Sequence, residues 1–371
     1  MKRIIVIGGG LAGLVSSILL GRAGFKVKLI ERKRYPFHRV CGEYISNEVK
    51  PFLSKNGLFP VNIEPAEIRK FQLTSINGKS AMLPLDLGGF GISRYFLDSY
   101  LADKLVEVGV DLVHERAINV DFDQGLFSIR TNQNEYEADI VLGSFGKRSV
   151  LDKNLNRDFF RRRSPYIGVK YHIRYGDHDE ETVALHNFSG GYCGINRVEN
   201  DIYNLCYLGE RKNLKLEGSI EAMEQNILMK NPFLNKVFTE AHFVFDKPEV
   251  INEISFETKR PVEQHILMCG DAAGMITPLC GNGMAIAIHS AKIATEAIID
   301  HVSGKTFDRD ALEADYSNRW NSMFRRRLYI GRKIQRLFGA PWLSETAVAI
   351  CNNVKPVANY LMSKTHGQVF L

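Results

Sequence analysis

A chain of 371 residues, 45% of them hydrophobic and 24% charged, has ordinary globular composition: it can hold two domains and a core of normal size, and no stretch reads as disordered. The formal charge of +6, from 48 basic and 42 acidic residues, is too small an excess to argue for nucleic acid as a partner. The six cysteines, at 41, 193, 206, 269, 280 and 351, form no Cys-x-x-Cys pair and have no histidine cluster beside them, which argues for no metal and for a reduced, cytoplasmic protein.

Residues 4–20 are apolar, but glycines at 8, 9, 10 and 13 interrupt them, and the run is shorter than the ~20 residues a membrane-spanning helix needs. The spacing predicts a strand, a turn and a helix. Lys2-Arg3-Ile4-Ile5-Val6-Ile7 suits a strand buried on both faces. Gly8, Gly10 and Gly13 then give Gly-x-Gly-x-x-Gly, with Ala12 inside it, and a helix is expected over 11–22. A second strand over 25–30 ends in Glu31 and Arg32. The three glycines supply a tight turn, a close backbone approach to a pyrophosphate, and close helix–strand packing. The helix N-terminus offers free N–H groups to phosphates. Glu31, 18 residues past Gly13, stands where an acid accepts hydrogen bonds from ribose hydroxyls. The motif points to a dinucleotide and does not separate FAD from NAD.

Further along, Arg39-Val40-Cys41-Gly42-Glu43 follows the second strand, and Ile92-Ser93-Arg94 opens a helix containing Leu97 and Asp98. Strands are expected over 167–175, 182–186, 191–198 and 202–208, then helices over 218–230 and 232–241, which together make an antiparallel sheet roofing the cofactor. An apolar strand at 266–269 then runs into Gly270-Asp271-Ala272-Ala273-Gly274, Pro278 and Gly281-Asn282-Gly283-Met284, with a long helix over 284–299. Asp271 suits a ribityl or ribose hydroxyl. The second glycine-rich helix start suits the flavin C2 carbonyl and N1, which become electron-rich on reduction. From Asp308 onward the chain reads as helices. Phe324, Leu328, Ile334 and Phe338 share one face, apart from most of Arg325, Arg326, Arg332, Lys333 and Arg336. This is either a cap helix with a solvated basic face or a peripheral membrane contact.

The late segment resembles the FAD motif of the geranylgeranyl reductase family and, more distantly, that of the flavin hydroxylases that include para-hydroxybenzoate hydroxylase. The Cys41-Gly42 and Arg94 segments are similar to those of the same reductases, and the matches follow the family order across residues 1–300. The resemblance implies an α/β protein: a Rossmann-like FAD-binding domain of glutathione-reductase type and hydroxylase-like topology, an antiparallel-sheet substrate lobe, and C-terminal helices. The expected partition is 1–75, 92–155 and 262–300 for FAD, 76–91 and 156–261 for substrate, and 301–371 for the helical end. It further implies that Gly8, Gly10, Gly13 and Glu31 hold the ADP half, with Ala12 and Arg32 beside them. Arg39 and Arg94 would lie near the pyrophosphate or ribityl chain, Cys41 and Gly42 beside the isoalloxazine, Asp271 at the ribityl or pyrophosphate region, and Gly281, Gly283 and Met284 at the pyrimidine edge.

The chain departs from these relatives in places. Phe145 occupies the position of the hydroxylases' Asp in an Asp-Gly motif that serves flavin and pyridine nucleotide, so NAD(P)H is one candidate electron donor and not a given. In the reductases' Tyr-x-Trp-x-Phe-Pro segment Tyr192 is kept as a candidate substrate contact, but Gly194 and Asn196-Arg197 replace the rest. The halogenase signature Trp-x-Trp-x-Ile-Pro is absent.

Two chemistries fit: hydride transfer at FAD to or from a lipophilic polyprenyl- or polyketide-like substrate, and monooxygenation of a lipophilic aromatic one. A non-catalytic flavin-binding protein is the third reading. Cys41 is the candidate catalytic thiol, with Glu43 and Tyr44 placed to orient it. His38 and His289 are candidate acid–base groups. Oligomeric state is left open.

Overall fold

The computed structural model describes residues 2–162, 164–252, 254–275, 282–302, 307–335, 341–353 and 367–371. Its first layer is a six-stranded sheet. In spatial order the strands are Val262–Glu263, Ile266–Met268, Ile140–Gly143, Arg3–Ile7, Lys26–Ile30 and Asp111–Val113. All neighbours are parallel except Val262–Glu263 against Ile266–Met268. The strands are buried on both faces because helices cover them, and their Ile-, Val- and Leu-rich sequences reflect that. Leu11–Arg22, Arg94–Glu107 and Gly283–Val302 do the covering. A three-stranded meander, Ala117–Asp123, Leu126–Thr131 and Glu135–Ala138, is inserted before the strand Ile140–Gly143.

The second layer is a nine-stranded sheet. Its central strands are Tyr166–Arg174, Tyr203–Glu210, Gly191–Arg197 and Thr182–Phe188, in that order, all antiparallel. Ala66–Thr74 joins next to Thr182–Phe188 in parallel, because the chain leaves this sheet after Ser80–Gly91, builds much of the first layer, and returns. Ala66–Thr74 thus runs in this sheet although the sequence groups it with residues 1–75. Outward-facing Ile167, Val169, Tyr171 and Ile173 pack with Met223, Leu228, Leu234 and Val237 of the covering helices. Their neighbours Gly168, Lys170 and His172 point the other way, towards the first layer.

The C-terminal helix Arg309–Gln335 buries Leu312, Tyr316, Trp320, Phe324 and Leu328 in the main core. Leu328 and Trp320 come within 3.0 and 3.2 Å of where a side chain at Gly274 would start, so this helix sits on the late glycine turn. Its apolar stripe is used internally, while Arg325, Arg326 and Lys333 face solvent. Phe338 and Arg336 lie outside the described residues. No helix of the described residues is long and apolar enough to cross a membrane.

Candidate active site

An elongated cavity of about 690 Å³, within the size range of small-molecule sites, lies along the C-terminal ends of the parallel strands and under the nine-stranded roof. At one end it is walled by Glu31, Arg32, Lys33 and residues 115–117. In the middle it passes Gly8, Gly10, Ala12, Arg39, Cys41, Gly42 and Arg94. At the other end it reaches Asp271, Met275, Gly283 and Met284, with Phe160, Val250 and Ile251 adding apolar wall.

The glycines of the first motif divide by what they face. Gly8 has φ +103, and a Cβ there would lie 2.5 Å from the Ser144 carbonyl oxygen. A Cβ at Gly13 would lie 1.9 Å from the Gly8 carbonyl oxygen. Both are glycine because the chain itself fills the space. Gly10 has φ −84 and only the Arg94 Nη2 near its Cβ position, at 3.6 Å. The space beside it belongs to the cavity. Gly42 is similar, with nothing within 4 Å. Gly10 caps the Leu11–Arg22 helix without a side-chain bond, so the first N–H groups of that helix are turned to the cavity.

Glu31 is nearly saturated by the protein. Its Oε2 accepts from Gly9 N at 2.9 Å and Arg39 Nη2 at 3.1 Å, and its Oε1 accepts from Lys33 N at 3.0 Å. One acceptor position on Oε1 is left for a ligand. Arg39 and Arg94 are held by one buried carboxylate. Asp98 accepts from Arg39 Nε at 3.0 Å and from Arg94 Nε and Nη2 at 2.7 Å each. Two guanidinium groups are thereby fixed at the helix N-terminus, a strong anion site. Asp98→Asn keeps the shape and removes the charge. It is expected to weaken cofactor binding about tenfold, read by flavin-fluorescence titration; an unchanged affinity would mean the arginines hold themselves in place.

Past Cys41 and Gly42, Glu43 borders the cavity while its carboxylate enters a buried cluster that the sequence alone did not disclose. Its carboxylate accepts from Lys170 Nζ at 2.5 Å and His172 Nε2 at 2.6 Å, both on the roof, and from Arg94 N at 2.7 Å. Burial pushes this carboxyl up, but Lys170 and His172 together outweigh it and hold it at about 2. Glu43 therefore serves the roof and the Arg94 helix; no hydrogen bond joins it to Cys41 among the described residues. A signal was present in the sequence: a Lys and a His two apart in an otherwise apolar strand share one face. Lys259 is a second such residue. It is buried, and its Nζ donates to the Lys147 and Asp271 carbonyls at 2.9 and 2.7 Å. It ties the loop after Ile140–Gly143 to the late turn, and burial lowers its ammonium to about 8. Lys259→Met is expected to loosen both loops and raise the FAD off-rate, measured by the rise of free-flavin fluorescence when loaded protein is diluted.

The other candidates fall as follows. Asp271 lines the cavity, and its carboxylate has no protein hydrogen bond among the described residues. Gly283 and Met284 bring the N-terminus of the late helix to the cavity. Gly281 and Pro278 lie outside the described residues. Phe145 lines the cavity beside Ser144. Tyr192 is 4% exposed and packs with Met275 of the cavity wall and with Leu208 and Val348, without lining the cavity itself. His289 is stacked on Phe370 at 3.8 Å, and burial lowers it to about 4, which marks it as a core residue. His38 lines the cavity, stacked on Tyr95 at 4.5 Å and edge-on to His172 at 5.1 Å. Burial, with Lys170 and His172, lowers it to about 4, so it is a neutral imidazole at pH 7. Among the described residues no group of three or more His, Cys, Asp or Glu could hold a metal.

The bare backbone at Gly10, the two helix N-termini and the arginine pair fit an FAD pyrophosphate, and the single open acceptor on Glu31 fits its ribose. Residues 1–151 match the FAD binding domain family model. The chain is 26% identical over 358 residues to digeranylgeranylglycerophospholipid reductase 2 of Methanothermobacter thermautotrophicus, covering 90% of this chain and 85% of that one. A geranylgeranyl bacteriochlorophyll reductase-like structure from Thermoplasma acidophilum superposes with a TM-score of 0.78 at 17% identity, covering 98% of this chain and 95% of that one. The flavin-dependent brominase Bmp2 superposes with 0.77 at 18%, covering 98% and 93%.

The chain is an FAD-dependent oxidoreductase similar to the geranylgeranyl reductases.

In this flavoprotein, bound FAD supplies two-electron chemistry, as hydride exchange with a substrate or activation of O₂. The chain supplies the anion site at Gly10, Arg39 and Arg94, and a strip of bare backbone at Cys41-Gly42. It also supplies a roof, whose strand Glu249–Asn252 lines one side of the cavity.

Proposed function

We propose that this flavoprotein saturates or introduces carbon–carbon double bonds in a lipophilic, polyprenyl- or polyketide-like small molecule by hydride exchange at FAD. The observation that carries the reading is similarity along nearly the whole chain to a digeranylgeranylglycerophospholipid reductase, through the roof as well as the FAD-binding part. The cavity's apolar end at Phe160, Val250, Ile251 and Met275 supports it, since an isoprenoid chain needs such a wall. Gly8, Gly10, Ala12, Gly13, Glu31, Arg32, Arg39 and Arg94 are the residues we assign to the adenosine and pyrophosphate. Cys41, Gly42, Asp271, Gly283 and Met284 are assigned to the flavin end. Cys41 is the proposed proton donor to the substrate carbon that does not receive the hydride. The electron donor is proposed to be NAD(P)H or another two-electron reductant.

The test is anaerobic incubation of dithionite-reduced protein with geranylgeranyl diphosphate. The expected product has gained hydrogen at one or more double bonds, with flavin reoxidised in step. In a parallel incubation in air, substrate-dependent oxygen consumption and a product heavier by one oxygen would replace this reading with monooxygenation. Cys41→Ser is expected to slow saturation while leaving FAD bound. A lipid substrate also brings the protein to a membrane surface. There Arg325, Arg326 and Lys333 would meet anionic headgroups, and co-flotation with phosphatidylglycerol vesicles that is lost in high salt is the expected result.

A further inference from the structure

The Lys170–Glu43 pair is fully buried, with both side chains 0% exposed. A buried ion pair is a poor stabilising device, since apolar residues of the same volume do as well or better. This one is also placed with care. Glu43 sits at φ +52, a left-handed conformation that a residue with a side chain keeps only where its surroundings hold it. Its backbone carbonyl accepts from Ile92 N at 3.1 Å and Asn196 Nδ2 at 3.4 Å. The preceding Gly42 carbonyl accepts from Asn204 Nδ2, again on the roof, at 2.9 Å. Gly168 lets the roof close on the same strip: a Cβ there would lie 3.2 Å from Val40 Cγ1. The Val40–Glu43 strip is thus clamped to three roof strands, and Glu43 itself lines the cavity.

We propose that the buried Lys170–Glu43 pair sets the reduction potential of the bound flavin, with Glu43 as a positioning residue that fixes the Cys41-Gly42 strip and with the two opposite charges balanced beside the isoalloxazine. The proposal rests on the reading that FAD occupies the cavity with its ring at that strip. Two-electron reduction makes the ring more electron-rich. Paired, the two charges nearly cancel at the ring; either one alone acts across a low-dielectric interior with little screening. Removing the negative partner favours the reduced ring, and removing the positive partner disfavours it. A clamp with no electrical role has no reason to give opposite signs. The other groups facing Glu43 are His172, Arg94 and His38, and all three are kept in both variants.

The experiment is the midpoint potential of the FAD-loaded protein at pH 8, measured by slow enzymatic reduction against reference dyes. Glu43→Gln is expected to raise the equilibrium constant for reduction at least about tenfold, about 30 mV for a two-electron couple, and Lys170→Met to lower it by a similar factor. The double variant Glu43→Gln/Lys170→Met is expected to fall between the two. If Glu43→Gln does not fold, Lys170→Met and the double variant carry the test: the double must lie above Lys170→Met. Shifts of the same sign, or no shift, in variants that keep FAD and its visible spectrum would overturn the proposal. A wild-type protein that takes up no FAD would instead overturn the reading of the cavity on which it rests.

Discussion

Gly10→Ala is expected to fold as well as the wild-type protein and to lose FAD. The backbone at Gly10, φ −84 and ψ −175, is one that any L-residue adopts, and the nearest protein atom to the new methyl group is the end of a flexible arginine at 3.6 Å. The change costs the apo-protein at most about 1 kcal/mol, from a poorer helix cap. The methyl group enters the cavity where the pyrophosphate is expected to approach the backbone. Its volume and the displacement of Arg94 are expected to weaken FAD at least about 100-fold, about 2.7 kcal/mol. Gly13→Ala reverses the pattern. Its methyl group would stand 1.9 Å from the Gly8 carbonyl oxygen and 2.6 Å from Ser144 Oγ, and backbone must move. A loss of about 3 kcal/mol or more in the apo-protein is expected. Urea unfolding of the two apo-variants, with FAD titration of each, checks both halves. FAD binding by Gly10→Ala at wild-type affinity would place the cofactor elsewhere.

The second large effect is on stability. Glu43→Gln leaves Lys170 buried beside His172 without a counter-charge, at a cost of about 3–5 kcal/mol. Replacing both partners, as in Glu43→Gln/Lys170→Met, removes that cost, and most of the wild-type stability is expected to return. The pH dependence has a definite sign. The folded Glu43 carboxyl lies at about 2, below its ordinary 4.5, so its contribution is complete above about pH 4.5. It is lost as pH falls from there towards 2, and amounts to about 3 kcal/mol. The wild-type protein should lose this increment in acid and the double variant should not. Urea midpoints at pH 7, 5 and 3 measure it. Equal acid sensitivity in both proteins would mean that other carboxylates dominate.

The β-α-β end of the cavity was legible from the sequence because every part of it is local. A strand, a glycine turn, a helix N-terminus and an acid at a set distance form one continuous β-α-β unit, and its geometry follows from backbone rules over 31 residues. The roof strands were legible as elements for the same reason, through their period of two. Other features were not. Ala66–Thr74 lies in the roof because of a parallel pairing with a strand more than 100 residues later, and nothing near it in the chain records that. Tyr192 matched a substrate motif in sequence, but that it packs with Met275 and Val348 follows from contacts between distant segments.

Glu43 shows the division most clearly. In the sequence it is an acid two residues after a cysteine, available to orient it. In the fold its carboxylate is 127 residues in sequence from the lysine that neutralises it. Sequence by itself determined the dinucleotide class of the cofactor and the β-α-β unit proposed for its adenosine half, because those depend on short-range spacing. Only the tertiary structure decided which charges are buried together and on which side of the flavin strip. Ion pairs between layers depend on how two sheets pack, and the linear order of residues does not encode that distance.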